Sequence, residues 1–223
     1  MTLFLGVDDA GRGPIIGPMV LGGVLIEKEE AEKLKRLGVA DSKTLSPSRR
    51  EKLLTDIRKA AVSCRTVQIS AAEIDSRGEN GLNLNDLEAV KMAEVINLIT
   101  DGVKEEIEIF LDCPSVNCDA WRAYLLKHIK NLDNKKFRVE HKADSKYSAC
   151  SAASILAKVT RDAEVAKIRK EIGIDFGSGY PADPKTKAFL AKYGEKFSDS
   201  GIIRKTWETW ASLQKKQSQK KLF

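Results

Sequence analysis

The 223-residue sequence has few of the residues from which soft-metal sites are usually built. Only two histidines are present, His128 and His141, and no two cysteines form a CxxC pair. This scarcity speaks against a structural zinc site and favours buried thiols in a reducing cytoplasm. The four cysteines are Cys64, Cys113, Cys118 and Cys150.

Long apolar runs are also missing, since none approaches the roughly 18 residues of a membrane-spanning helix. The N-terminus has no basic stretch followed by a long apolar segment. We therefore expect a cytoplasmic protein that is neither exported nor inserted in a membrane. The Gly-x-x-x-x-Gly-Lys-Ser/Thr pattern is absent as well, which argues against a nucleotide-hydrolysing P-loop protein.

What is present is the composition of a globular chain, 42% hydrophobic and 31% charged. The net charge of +6 and the isoelectric point near 9.0 make a polyanionic partner plausible. Apolar runs of strand length alternate with helical segments, which predicts an α/β domain with a mixed central sheet flanked by helices. We expect this domain over residues 1–181 and a small helical extension with a basic tail over 182–223.

Residues 6–14, Gly-Val-Asp-Asp-Ala-Gly-Arg-Gly-Pro, begin at the end of the first predicted strand, Thr2 to Val7. Asp8 and Asp9 would lie at its carboxyl end, and a glycine-rich turn starting at Ala10 would release them from the alternation of a strand. Acids that bind a divalent cation beside donors that bind a phosphate are what phosphodiester chemistry needs. The alternative is a surface turn with two solvated aspartates.

Two further acids lie at the ends of predicted elements. Asp112 ends the predicted strand 107–112, and Asp144 precedes the long helix predicted over 148–172. Because ligands in such folds usually bind at the ends of strands, the pattern predicts that these acids converge with Asp8 and Asp9.

Residues 6–14 resemble the G-[IV]-D-E-A-G-R-G-P signature of ribonuclease HII. Further blocks similar to that family follow in family order and extend the resemblance over residues 6–181. The HKAD form at residues 141–144 and the helical extension look archaeal. The other blocks are Asp41-Ser42-Lys43 with Leu45 and Arg50-Glu51, Asp112 after its strand, residues 151–162, and Gly-Ser-Gly-Tyr-Pro at 177–181.

The resemblance implies the ribonuclease H fold and an endonuclease with two substrates. The family hydrolyses the RNA strand of RNA–DNA hybrids and nicks on the 5′ side of ribonucleotides embedded in duplex DNA, leaving a 3′-hydroxyl and a 5′-phosphate. It depends on Mg²⁺ or Mn²⁺, with two ions during catalysis. The residues carried over by position as catalytic metal ligands are Asp8, Asp9, Asp112 and Asp144.

Recognition of the ribonucleotide 2′-hydroxyl falls, by the same resemblance, to Gly11, Arg12 and Gly13 together with Tyr180. Ser42 and Lys43 either contact substrate phosphates or belong to a polar loop. Archaeal members often end in a sliding-clamp motif, and the tail fits its first half at Gln219 and Leu222 before the sequence ends at Phe223. A monomer is the default expectation.

One position departs from the family pattern, because Asp9 stands where the family has glutamate. Aspartate is one methylene shorter, so its carboxylate reaches about an ångström less far, which puts the rate and the metal preference in doubt. Two alternatives therefore stay open: a hybrid-binding module impaired by Asp9, and another nuclease of the ribonuclease H-like superfamily such as a junction resolvase.

Overall fold

The structure, a computed structural model, describes residues 2–39 and 45–220, the last five by backbone alone. Ser42 and Lys43 lie outside the described residues, as do Leu222 and Phe223 of the expected clamp motif. Within the described ranges, every helix is too short or too polar to pass through a lipid bilayer.

Strands and helices alternate along the described part of the chain. The strands are β1 (Leu3–Ala10), β2 (Met19–Glu27), β3 (Ala61–Ile69), β4 (Ile107–Asp112) and β5 (Lys135–Glu140). The helices are α1 (Lys28–Arg36), α2 (Pro47–Ala60), α3 (Ala71–Ser76), α4 (Leu84–Thr100), α5 (Cys118–Leu126), α6 (Ala143–Lys146), α7 (Ser148–Ile172), α8 (Pro184–Tyr193) and α9 (Glu208–Lys220), with a short 3-10 turn at Arg77–Asn80.

The five strands form one mixed sheet in the order β3-β2-β1-β4-β5. Strand β1 runs antiparallel to β2 and parallel to β4, and β4 runs parallel to β5. The carboxyl ends of β1, β4 and β5 therefore meet at one edge of the sheet. The predicted α/β class with a mixed central sheet is confirmed.

The chain divides into two compact units. The sheet unit comprises Met1–Ala10, Val20–Gln68 and Leu82–Thr160, and the helical unit comprises Gly11–Met19, Ile69–Gly81 and Arg161–Phe223. Each compact unit combines distant segments of the chain, so neither unit corresponds to a single stretch of sequence. The expected division after residue 181 stays a prediction. The apolar core of the helical unit contains Ile15, Ile16, Val165, Phe176, Phe189, Leu190, Ile203 and Trp210.

Glycines let α7 approach the sheet of the sheet unit closely. A Cβ atom on Gly6 would lie 2.1 Å from the backbone of Ala149, and one on Gly22 would lie 2.7 Å from the carbonyl oxygen of Ala153. Gly22 pairs with Asp8 across β1 and β2. Since neighbouring residues in register share a face, α7 covers the face of the sheet on which Asp8 lies.

Two local predictions are wrong. The sequence pattern predicts a last helix from about Ser198 to Lys216, but this helix begins at Glu208, because Ile203 forms a bridge with Ile16 and the amide of Arg204 donates to the carbonyl of Ile15. Strand β1 continues through Ala10, so the turn begins at Gly11, one residue later than expected.

Candidate active site

Asp8 and Asp112 lie on neighbouring strands at the same edge of the sheet. Val7 is paired with Leu111 in the parallel ladder of β1 and β4, and the two aspartates are the next residues on each strand. Neighbouring strands are about 4.8 Å apart, and residues in register point to the same face. The register therefore holds these two carboxylates side by side.

The carboxyl group of Asp8 is buried, with 5% of the residue exposed. Burial, the charge of Asp9 and the charge of Asp112 raise its pKa well above the usual range, although hydrogen bonds from Ser154 and from the Asp9 amide, at 2.8 Å, act in the opposite direction. A negative charge is thus costly at this position without a positive partner. A bound cation would supply that partner.

Asp144 is tied to Asp112 through the backbone. The amide of Ala143, which precedes Asp144, donates to Oδ1 of Asp112 at 3.1 Å. Asp144 is buried in α6, and the hydroxyl of Ser151 on α7 donates to its carbonyl oxygen. The short helix α6 is thereby fixed to the end of β4 and to the start of α7.

Two side chains of α7 join the acids and were missed by sequence reasoning. Burial and the charges of Asp8, Asp112 and Asp144 all raise the pKa of the Cys150 thiol, so three carboxylates act electrostatically on this thiol. Ser154, four residues further on, donates to Asp8. The i, i+4 spacing on the small-residue face of α7 was the available signal.

Asp9 is placed differently from the expectation. Ladder pairing continues through Asp9 with Leu21 and Ala10 with Val20, so no bulge interrupts the strand. The alternation of a strand then directs the side chain of Asp9 away from the face of Asp8, although its charge still acts on Asp8. The turn therefore does not bring the carboxylates of Asp8 and Asp9 to the same face, as the sequence suggested. The metal-binding role of Asp9 stays a prediction.

All of these predicted ligands are carboxylates, the hard oxygen donors that suit Mg²⁺ and Mn²⁺. Among the described residues, no three of these acids bring their oxygens within 4.8 Å of one another. Carboxylates this near to one another repel, and a bound cation would offset that repulsion.

The Gly11–Arg12–Gly13 turn belongs to the helical unit and is held by Arg204. This fully buried guanidinium donates to the carbonyl oxygens of Gly11 at 2.7 Å and Arg12 at 2.8 Å, and to that of Gly17 at 2.9 Å. Gly11 has φ of 89°, a conformation that favours glycine. In a planar trans peptide the N–H points away from the C=O, so the amides of Arg12 and Gly13 point away from Arg204.

Tyr180 lies beside this turn within the helical unit. Its ring is 3.4 Å from the position that a Cβ atom on Gly13 would take, and 40% of the residue is exposed. The guanidinium of Arg161 lies 5.5 Å from the ring centroid, a cation–π distance. Gly11, Arg12, Gly13 and Tyr180 thus lie together, and their role in substrate recognition stays a prediction. Arg161 and Arg204 are supporting residues that the motif did not reveal.

A mixed five-stranded sheet with acids at the ends of β1 and β4 defines the class of ribonuclease H-like α/β proteins. Solved structures agree: the ribonuclease H2 of Pyrococcus horikoshii has a TM-score of 0.83 and 38% identity, covering 96% of this chain and 98% of that one. The ribonuclease HII of Archaeoglobus fulgidus, in a complex with PCNA, has a TM-score of 0.80 and 34% identity, covering 92% and 95%.

Sequence comparison identifies the family within this class. The family model Ribonuclease HII matches residues 5–210. The ribonuclease HII of Pyrococcus furiosus is 41% identical over 217 residues, which are 97% of this chain and 93% of that protein, and the one of Methanosarcina barkeri is 40% identical over 215 residues, 93% of each. The chain belongs to the ribonuclease HII family. It is a hydrolase, a metal-dependent endoribonuclease of the ribonuclease H type.

Proposed function

We propose that this chain hydrolyses the RNA strand of RNA–DNA hybrids and nicks duplex DNA on the 5′ side of embedded ribonucleotides, leaving a 3′-hydroxyl and a 5′-phosphate. The observation that carries the proposal is the register of β1 and β4, which sets Asp8 beside Asp112. The hydrogen bond that the Ala143 amide donates to the Asp112 carboxylate supports including Asp144 among the proposed ligands.

The proposed ligands of the catalytic cations are Asp8, Asp9, Asp112 and Asp144. Two Mg²⁺ or Mn²⁺ ions, when bound, would lower the pKa of an attacking water and neutralise charge on the leaving 3′-oxygen. The chain's own contribution is to hold carboxylates at one sheet edge, where Ser154 and the backbone amides of Asp9 and Ala143 orient them.

Substrate recognition is assigned to Gly11, Arg12, Gly13 and Tyr180. Discrimination of RNA from DNA at one nucleotide requires contact with its 2′-hydroxyl. The amides of Arg12 and Gly13, which point away from Arg204, are suitable donors for that hydroxyl or a neighbouring phosphate. The half-exposed ring of Tyr180 would pack against the adjacent deoxyribose. Contacts of Ser42 and Lys43 with phosphates complete the proposal.

A sliding clamp is the proposed protein partner, bound through the tail that contains Gln219 and Leu222. The support is the Archaeoglobus fulgidus relative, which forms a complex with PCNA. The chain is proposed to act as a monomer in the cytoplasm.

The test is cleavage of a DNA duplex that contains one ribonucleotide, with Mg²⁺ or Mn²⁺. We expect a single nick on the 5′ side of the ribonucleotide. Asp8→Asn removes a proposed ligand and should lower the rate at least about a hundredfold. Asp101→Asn, an exposed aspartate at the end of α4, is the matched control and should cleave normally.

Stability distinguishes a lost ligand from a lost fold. Because burial and neighbouring charges disfavour the ionised form of Asp8, Asp8→Asn should unfold in urea with the parent's free energy or about 1 kcal/mol more. An inactive but stable Asp8→Asn variant supports the proposal. Binding without cleavage by the parent would select the impaired hybrid-binding module, and undiminished cleavage by Asp8→Asn would remove Asp8 from the site.

A further inference from the structure

Three soft-ligand side chains meet at the ends of β4 and β5 in the sheet unit. Single donor atoms of Cys113, Cys118 and His141 all lie within 4.8 Å of one another, and Sγ of Cys118 is 3.3 Å from Nε2 of His141. Tetrahedral zinc with ordinary bond lengths requires sulfur–nitrogen separations of about 3.6 Å and sulfur–sulfur separations of about 3.8 Å. The three donor atoms are therefore nearly as close together as they would be around a bound zinc ion.

Sheet pairing explains why residues far apart in the chain meet here. Asp112 pairs with Glu140 in the parallel ladder, so the residues that follow them, Cys113 and His141, leave the sheet side by side. The amide of Cys113 donates to the carbonyl of Glu140 at 3.0 Å, which extends this pairing by one bond. Cys118 then enters from the first turn of α5.

The imidazole of His141 has the orientation of a metal ligand. Its Nδ1 lies 3.2 Å from the carbonyl oxygen of Cys113. A carbonyl accepts and cannot donate, so Nδ1 carries the hydrogen and Nε2 presents its lone pair to the thiol of Cys118. A backbone carbonyl that fixes the tautomer in this way is the usual support of a ligating histidine. A disulfide between the two cysteines would need no such histidine.

Burial decreases from Cys113 to His141, which leaves a path by which an ion could enter the cluster from solvent. Cys113 is buried, Cys118 is half-buried and His141 is exposed. An ion can therefore arrive from solvent on the side of His141 and be retained by the buried thiolate.

We propose that Cys113, Cys118 and His141 form a second metal site, for a thiophilic divalent cation such as Zn²⁺, with a fourth position open to water. The catalytic carboxylates prefer hard cations, so ligand chemistry separates the two sites. Because Cys113 directly follows Asp112, an ion bound here fixes the segment that follows β4 and stabilises the folded chain.

Cobalt(II) is the probe, because thiolate-bound cobalt has sulfur-to-metal charge-transfer absorption that carboxylate-bound cobalt lacks. The full-length chain in reductant should develop this absorption with one equivalent of Co²⁺ and lose it when Zn²⁺ is added. Cys118→Ser and His141→Ala should bind Co²⁺ at least about tenfold more weakly. Cys64→Ser, a half-buried cysteine of β3 outside the cluster, is the matched control and should behave like the parent.

Thermal unfolding gives an independent measure. Zn²⁺ should raise the melting temperature of the parent and of Cys64→Ser but not of His141→Ala, whose exposed side chain can be removed without disturbing the core. The proposal is overturned if the folded parent shows no cobalt–thiolate absorption in reductant. It is equally overturned if that absorption and the zinc-dependent shift persist in His141→Ala.

Discussion

At the scale of single residues, Asp9 stands where the ribonuclease HII signature that residues 6–14 resemble has glutamate. Its carboxylate is shorter by one methylene than the family's glutamate, and β1 continues through it without a bulge. A displacement of about an ångström is enough to change catalytic rates strongly. The pairing of β1 with β2 stays regular at Asp9, so the backbone does not shift to compensate for the shorter side chain.

We therefore expect Asp9→Glu to cleave the single-ribonucleotide duplex at least as fast as the parent and up to about tenfold faster. Steady-state kinetics with Mg²⁺ and with Mn²⁺ measure this. Asp101→Glu makes the same chemical change at an exposed residue and should leave the rate unaltered. A large loss of activity in Asp9→Glu would mean that the site has adapted to the shorter acid.

Arg204 is a fully buried residue that no motif indicated. Its guanidinium serves three carbonyl oxygens of the Gly11–Gly17 segment, 193 residues from Gly11 in the chain. A lysine supplies a single ammonium and cannot reproduce this planar fork.

Arg204→Lys should lower the free energy of unfolding by about 3 kcal/mol, because buried carbonyls lose charge-assisted hydrogen bonds. It should also raise KM for the ribonucleotide-containing duplex if the turn binds the substrate. Urea unfolding and kinetics measure the two effects. Lys205→Ala, at an exposed neighbour paired with Asp199, should change stability by less than about 0.5 kcal/mol. Equal stability of the two variants would contradict the role of Arg204.

At the scale of elements, the close packing of α7 on the sheet positions Cys150 and Ser154 beside the acids. Gly22 is the contact that permits this approach, since a Cβ there would meet the backbone of Ala153 at 2.7 Å and that of Ala157 at 3.0 Å. Helix and sheet would have to separate to admit a methyl group.

Gly22→Ala should therefore cost about 2 kcal/mol or more in the free energy of unfolding and reduce cleavage, because Asp8 pairs with Gly22. Gly78→Ala is the control, since nothing lies within 4 Å of its Cβ position and stability should stay the same or rise slightly. Chemical denaturation of both variants measures the free energy of unfolding. A Gly22→Ala protein as stable as the parent would show that α7 packs less tightly on the sheet than described.

At the scale of the whole molecule, the spacing of apolar residues predicted the strands and the long helices. This was possible because the pattern that buries one face of an element lies within that element's own sequence. The ordered motifs predicted the family, and the acids at strand ends predicted that Asp8 and Asp112 lie close together. Contacts between distant segments left no local signal. Arg204 and the cluster of Cys113, Cys118 and His141 depend on strand register and loop paths that spacing does not encode.

The central claim is that carboxylates at the edge formed by β1 and β4 bind the catalytic cation. The most direct measurement is the anomalous scattering of Mn²⁺ in crystals of this chain soaked with the ion. We predict a peak about 2.2 Å from carboxylate oxygens of both Asp8 and Asp112. Manganese bound elsewhere, with no peak in contact with these two residues, would contradict the account.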